Sequence, residues 1–300
     1  MNGMHRSRPK LHWLDLLVLG VLALGLVYVI YRVDSILHYR WNWSSIPGFL
    51  FRWDDEEGKW VSNLLVQGFL TTLRLSLWGV VFAAIIGVVM GLCRTANGLF
   101  WRLVGRSYVE MIRNIPPLVF IFIFYFFISS QIMPLVGIDA LVRAASPGTL
   151  AVIGFLFGPP ELLPNFVSGL ICLAMFEGAY ITEIVRAGIQ SVEKGQWEAG
   201  HGLGLSRYRI LRHIILPQAI QRIIPPLAGQ FISLVKDSSI ISLISIQELT
   251  FAASQVAIST MAIFETWITA AAMYFAICFA CSLAFRRLER RFGVRGVPVK

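Results

Sequence analysis

Charge is what this sequence has least of. Of its 300 residues only 14% are Asp, Glu, Lys or Arg, where soluble domains carry about 25%. A water-facing surface cannot be assembled from so few charges, which excludes the one or two soluble domains that the length would suit. Cysteine is scarce too. Cys93, Cys172, Cys278 and Cys281 all fall in or beside apolar stretches, a usage that excludes a disulfide framework. Cys278 and Cys281 form a C-x-x-C, but inside a hydrophobic run with no His or Cys cluster beside it. They read as two small apolar side chains, with no redox or metal role. Also missing is a Walker A loop, G-x(4)-G-K-[ST], the cradle with which many ATPases hold phosphates.

What is present is apolar. Hydrophobic residues make up 56% of the chain, with 21 Phe and 9 Trp, and they come in blocks. The first, Trp13 to Tyr31, has 19 residues and would rise about 28 Å as a helix, roughly one hydrocarbon core. A basic segment precedes it, so a cleaved signal peptide is the rival reading. No small-residue cleavage site follows, and an uncleaved helix is expected. Further blocks run from about 65 to 92, 107 to 128, 166 to 185, 219 to 245 and 262 to 285. The expectation is an all-α polytopic membrane protein with six spans, the fifth broken in two near Pro225-Pro226.

The distribution of Lys and Arg sets an orientation. With the N-terminus in the cytoplasm, the inside segments 1–12, 94–106, 186–216 and 286–300 hold 17 of them, and the outside segments 34–60, 131–162 and 251–262 hold four. The net charge of +9 is then mostly orientation signal, in contact with anionic membrane lipid and not with nucleic acid. Segment 34–60, with its four Trp and Asp54-Asp55-Glu56-Glu57, reads as a solvated external loop. The apolar part of 131–162 is too short to span and reads as a hairpin-like or interfacial insertion.

The most informative stretch is the inside segment from Arg186 to Ile220. It holds a short helix candidate, Gly195 to His201, then glycines at 200, 202 and 204, then a second helical pattern ended or kinked at Pro217. Such a helical projection suits docking into a groove on a cytoplasmic partner, with force passing through Pro217 into the fifth span.

Within it, Glu198, Ala199, Gly204, Ile214, Leu216 and Pro217 stand at the spacing E-A-A-x(3)-G-x(9)-I-x-L-P. This resembles the EAA signature of the permease subunits of ATP-binding-cassette importers. Thr71-Thr72-Leu73-Arg74, Arg113-Asn114-Ile115-Pro116, Gly178-Ala179-Tyr180, Arg186-Ala187-Gly188-Ile189, Leu216-Pro217-Gln218-Ala219 and Lys236-Asp237-Ser238-Ser239 extend the resemblance over about residues 62–290. It is similar to the polar amino acid branch, that of histidine, glutamine and glutamate permeases. Two positions depart from the pattern: Gly200 stands where Ala is usual and Ile115 where Thr is usual.

The resemblance implies a type I importer (MetI-like) core of five transmembrane helices, here with one extra N-terminal helix. The parts would be 1–61 (cytoplasmic N-terminus, extra helix and external loop), 62–290 (permease domain, with a coupling helix near 195–207) and 291–300 (basic cytoplasmic tail). It further implies a bacterial inner-membrane location with both termini cytoplasmic. Gln196, Glu198, Ala199, Gly200, Gly204, Leu205, Leu216 and Pro217 would couple the chain to a cytoplasmic ABC ATPase dimer, which holds ATP and Mg. This chain itself would bind no cofactor and catalyse nothing. A second permease subunit, the same chain or a homologue, and an external amino acid-binding protein complete the implied assembly.

Charges inside spans are costly and need partners or a wet cavity. Arg74, Glu110, Arg113, Glu177, Glu183, Lys236, Asp237, Glu248 and Glu265 qualify. Glu110 and Arg113 share a helical face and read as a pair. An amino acid offers an ammonium and a carboxylate, so a path for it is expected to use acids, a base and hydroxyl or backbone donors. Arg113, Asn114, Glu177, Lys236, Asp237 and Ser238 are the candidates, with backbone groups freed at Pro116-Pro117 or Pro225-Pro226. The competing role for these residues is to lock helices at a dimer seam. Gly79, Gly87 and Gly91 suit close helix packing. Rival functions are an ion-gradient-driven secondary transporter of small polar solutes, a mechanically gated channel and a membrane scaffold.

Overall fold

The computed structural model describes residues 13–37, 39–56 and 58–291. The segment 1–12 and the basic tail beyond Arg291 lie outside the described residues. Helices follow in the order α1 Trp13–Leu37, α2 Ile46–Leu50, α3 Leu64–Thr95, α4 Leu99–Arg113, α5 Pro117–Ile123, α6 Ser130–Val136 and α7 Ile138–Ala144. Then come α8 Pro147–Phe157, α9 Leu163–Gln190, α10 Lys194–Gly202, α11 Arg207–Ile210, α12 Leu216–Asp237, α13 Leu249–Thr260 and α14 Ile263–Arg291. The chain divides into two units, Met1–Trp43 and Ser44–Lys300. In the first, α1 has exposed apolar residues from Trp13 to Tyr31. The rest of the fold described here belongs to the second.

Among the described residues six helical stretches are long and apolar enough to cross a membrane: Trp13–Arg32, Leu64–Thr95, Pro117–Ala144, Pro160–Gln190, Arg207–Ile244 and Ile263–Arg287. The number matches the expectation, but two spans differ from it. The third begins at Pro117. The residues before it form α4, a separate one-sided helix that buries Gly105, Val109 and Ile112. Pro116 has no N–H and takes an extended ψ of 137°, which ends any continuous helix there.

The fifth span is not broken at Pro225-Pro226. Both prolines lie inside α12, and the helix instead tightens to 3-10 geometry over Ser238–Ile244. Pro217 does not end a helix either. A π turn, Leu211–Ile215, widens the chain just ahead of it, relieving the ring's pressure on the carbonyl four residues back.

Segment 34–60 is more than a loop, since β1 (Phe51–Asp54) pairs antiparallel with β2 (Lys59–Ser62), Phe51 opposite Ser62. The 131–162 segment folds as parts of α6, α7 and α8, and α8 is an apolar helix of 11 residues, about half the length a span needs.

The core is built on α3 against α9. Along α3 the buried positions Gly68, Thr72, Ser76, Gly79, Ala83, Gly87 and Gly91 recur every three or four residues and form one stripe of small side chains. Such a stripe lets two backbones approach where no hydrophobic effect drives helices together. A Cβ on Gly87 would fall 2.3 Å from Ile181 Cγ2, and one on Gly91 would fall 2.6 Å from Val185 Cγ1.

Candidate functional site

Two regions collect the polar chemistry. The first is the α10–α11 hairpin. Gly204 turns the chain with φ +72°, a conformation that costs glycine nothing. Gly200 is buried inside α10, and a Cβ there would stand 2.8 Å from Ile210 Cγ1 on α11. The departure from the usual Ala is therefore a packing feature: the hairpin arms approach too closely for a methyl group.

The hairpin is tied to the helix ends around it. Arg207 lies over the Trp197 ring at 5.2 Å and donates to the Thr95 carbonyl at the end of α3, at 2.7 Å. Arg94 pairs with Glu183 at 2.8 Å, joining α3 to α9, and Glu183 also holds Arg186 at 2.7 Å. Gln218 on α12 donates to Gln196 on α10 at 3.2 Å, and Arg222 donates to the Ser191 carbonyl.

Of the expected coupling residues, Gln196, Glu198, Ala199, Gly204 and Pro217 are exposed, Leu205 and Leu216 are half-buried, and Gly200 is buried. One continuous helical stretch, Arg207–Ile244, then carries the hairpin's second arm into the bundle.

The second region is the middle of the bundle. Glu177 on α9 is fully buried. Its Oε2 accepts from Gln230 on α12 at 2.6 Å, while Oε1 has no hydrogen-bond donor among the described residues. The Asp237 carboxyl is close enough to interact with it. Ser238 is buried, with its hydroxyl on the Val235 carbonyl at 2.8 Å.

Arg113 ends α4 and lies over the Tyr180 ring at 5.1 Å, three residues beyond Glu177. Asn114 caps α4, its N–H on the Glu110 carbonyl at 3.2 Å. Lys236 is exposed. The structure thus brings Glu177 and Asp237 together and leaves Lys236 outside their contact. Glu110 does not pair with Arg113. It accepts from Arg106 one turn back, at 2.7 Å, because Arg113 has turned onto Tyr180. Both residues precede the third span. Nearby on α4, burial pushes the Tyr108 phenol above its ordinary pKa, and its O–H donates to the Met175 carbonyl at 2.6 Å.

Sequence reasoning missed Gln230. An uncharged amide within an apolar helix was the available signal, since such a group in a membrane needs a partner. It also gave Glu248 no partner. Glu248 is fully buried and caps α13, accepting from Phe251 N at 2.9 Å. It further accepts from Thr72 at 3.3 Å and from the Tyr274 hydroxyl, joining α3, α13 and α14. Burial raises its pKa, and these bonds oppose the rise. Glu248→Ala leaves Thr72 and Tyr274 without their acceptor and is expected to destabilise the protein by about 1–3 kcal/mol. The check is thermal unfolding in detergent. A melting temperature equal to that of the wild type would show that the cluster holds nothing.

Among the described residues no group of three or more His, Cys, Asp or Glu could hold a metal ion, and all four cysteines are free. Sequence comparison decides what kind of bundle this is. Residues 79–294 match the family described as the binding-protein-dependent transport system inner membrane component. The chain belongs to that family.

The permease is 34% identical over 231 residues to the probable glutamine ABC transporter permease protein GlnM of Bacillus subtilis (strain 168), covering 76% of this chain and 93% of that protein. It is 32% identical over 231 residues to the glutamine transport system permease protein GlnP of Escherichia coli (strain K12), covering 77% and 94%. A crystal structure of an amino acid ABC transporter with histidines contains a chain 32% identical, with a TM-score of 0.60, over 76% of this chain and 94% of that one. A chain of the inward-facing MetNI methionine ABC transporter, 16% identical with a TM-score of 0.53, shares the fold. The permease is thus a multi-pass inner-membrane subunit of an ATP-driven importer. It is not an ion-gradient-driven secondary transporter, and it has no catalytic role of its own.

Proposed function

We propose that this permease forms half of the translocation path for ATP-driven import of polar or charged amino acids. The observation that carries the reading is the continuous helical stretch Arg207–Ile244. It joins the α10–α11 hairpin at one end to Gln230, Asp237 and Ser238 at the other. A push or pull on the hairpin is delivered to the residues facing Glu177 without passing through a flexible link.

In this reading Gln196, Glu198, Ala199, Gly200, Gly204, Leu205, Leu216 and Pro217 form the coupling element. It engages a cytoplasmic ATPase dimer that binds ATP and Mg. Glu177 and Asp237 receive the substrate ammonium: a buried carboxylate oxygen without a donor, Glu177 Oε1, suits that role. Arg113 and the side-chain amide of Asn114 meet the carboxylate, Ser238 lines the path, and exposed Lys236 adds positive charge at the mouth.

Residues 62–290 make up the permease domain, preceded by an added span and external loop (1–61) and followed by a basic tail. The excess of Lys and Arg on the 94–106, 186–216 and terminal segments supports cytoplasmic termini in contact with anionic lipid. A second permease subunit completes the path, and an external binding protein delivers the substrate. The named relatives support glutamine as the first substrate to try.

The test is reconstitution with the ATPase and binding protein in proteoliposomes, followed by uptake of a panel of labelled amino acids. Uptake should need ATP inside and binding protein outside, and polar amino acids should compete with one another. Uptake of none of them under ATP would reject the substrate class.

A further inference from the structure

At the end of α3 opposite the hairpin lies a cavity of about 370 Å³, in the size range of small-molecule sites. Its walls are the first turns of α3, the segment joining α8 to α9, and residues Ser245–Gln247. Among the described residues Arg74 is the one charged group in the lining, with no Asp or Glu beside it. Gln67, Thr71, Asn165 and Gln247 supply amide and hydroxyl groups.

The guanidinium is held but not neutralised. Its Nε donates to the Phe155 carbonyl at the end of α8, at 3.0 Å. Its Nη1 and Nη2 groups have no acceptor among the described residues. The loop leaves space for them. Gly158 has φ +100°, and a Cβ there would stand 3.4 Å from Nη1. One turn further along α3, Trp78 donates to the Leu156 carbonyl at 3.2 Å and stacks on Phe157 at 5.3 Å. The α8 segment is thereby fastened to α3 as a wall of the cavity.

A fixed guanidinium with two free N–H edges, in a pocket with no competing acid, matches a carboxylate in the bidentate geometry peculiar to arginine. Neutral amides around it leave room for the rest of a small polar molecule. We infer that this cavity is an entry site that binds the carboxylate of the incoming amino acid through Arg74 before it reaches Glu177. The inference rests on the amino acid reading above, and adds a site at the outer end of the path.

The test measures binding to the complete importer complex in phosphatidylcholine nanodiscs by saturation-transfer NMR. The probes are L-glutamine and its α-carboxamide, which lacks the carboxylate. Arg74→Gln should weaken L-glutamine about tenfold, equivalent to about 1.4 kcal/mol, and change the carboxamide less than twofold. Arg74→Lys should fall between wild type and Arg74→Gln for L-glutamine. A loss shared equally by both ligands would mean that Arg74 only fastens α8 to α3, and would overturn the proposal. So would unchanged binding of both, or no L-glutamine binding by the wild type. Retention of added phosphatidylglycerol by the wild type but not by Arg74→Gln, with L-glutamine binding equal in both, would assign the guanidinium to a lipid headgroup instead. Uptake by the wild-type complex separates this inference from the proposed function: transport that persists while the Arg74 effect is missing removes only the entry site.

Discussion

Glu198→Lys should leave the permease inserted and folded while lowering ATP-driven uptake by more than tenfold. Glu198 is exposed on α10 and makes no hydrogen bond or ion pair among the described residues, so its replacement costs the fold within about 0.5 kcal/mol. Its carboxylate is free for a partner. Placing a cation where a partner groove presents a complementary charge costs several kcal/mol, and each 1.4 kcal/mol is a factor of about ten in affinity. Glu198→Gln should give a smaller loss, because it removes attraction without adding repulsion. The measurement is uptake and substrate-stimulated ATP hydrolysis in the same proteoliposomes. Wild-type stimulation in Glu198→Lys would remove this residue from the coupling element.

The second large effect concerns stability. Gly87→Ala places a methyl 2.3 Å from Ile181 Cγ2, 2.6 Å from its Cβ and 3.2 Å from its backbone carbon. Gly91→Ala meets Val185 Cγ1 at 2.6 Å and the Thr182 carbonyl at 3.3 Å. Branched side chains are stiff at χ1, and the Ile181 Cβ and backbone cannot swing away. The helices must part, which costs about 1–3 kcal/mol for overpacking a fitted contact.

Gly229→Ala is the control, since nothing stands within 4 Å of a Cβ there. It should be neutral or slightly stabilising, because Ala is a better helix former than Gly. Thermal unfolding in detergent should show Gly87→Ala and Gly91→Ala melting well below wild type. Ile181→Ala should recover part of the Gly87→Ala loss, as expected for residues in direct contact. Equal melting of Gly87→Ala and Gly229→Ala would disprove the tight contact.

Several features were readable before any coordinates. The six apolar stretches, an apolar part of 131–162 too short to span, and the helical hairpin with its glycine turn follow from hydropathy and from residues with local consequences. The errors share a cause. Pro225-Pro226 suggested a break, yet α12 passes through both, because packing in the bundle offsets the lost backbone bonds. Glu110 and Arg113 had the right spacing for a pair, yet Tyr180, from another helix, draws Arg113 away. Gly200 stood out along the chain only as a departure from the usual Ala, and its reason is a close contact with Ile210 on α11.

The sequence by itself determined that this chain lives in a membrane, how many times it can cross, and that it carries the permease signature over most of its length. Those are sums and spacings along the chain, and each residue contributes without reference to distant ones. Only the tertiary structure decided which polar groups meet. Glu177 found Gln230 across 53 residues of chain, and Thr72 found Glu248 across 176. Such pairings depend on how each helix is rotated about its axis when packed. That rotation is set by where the small-residue stripe of α3 lets α9 and α13 approach, and only the packed bundle reveals it.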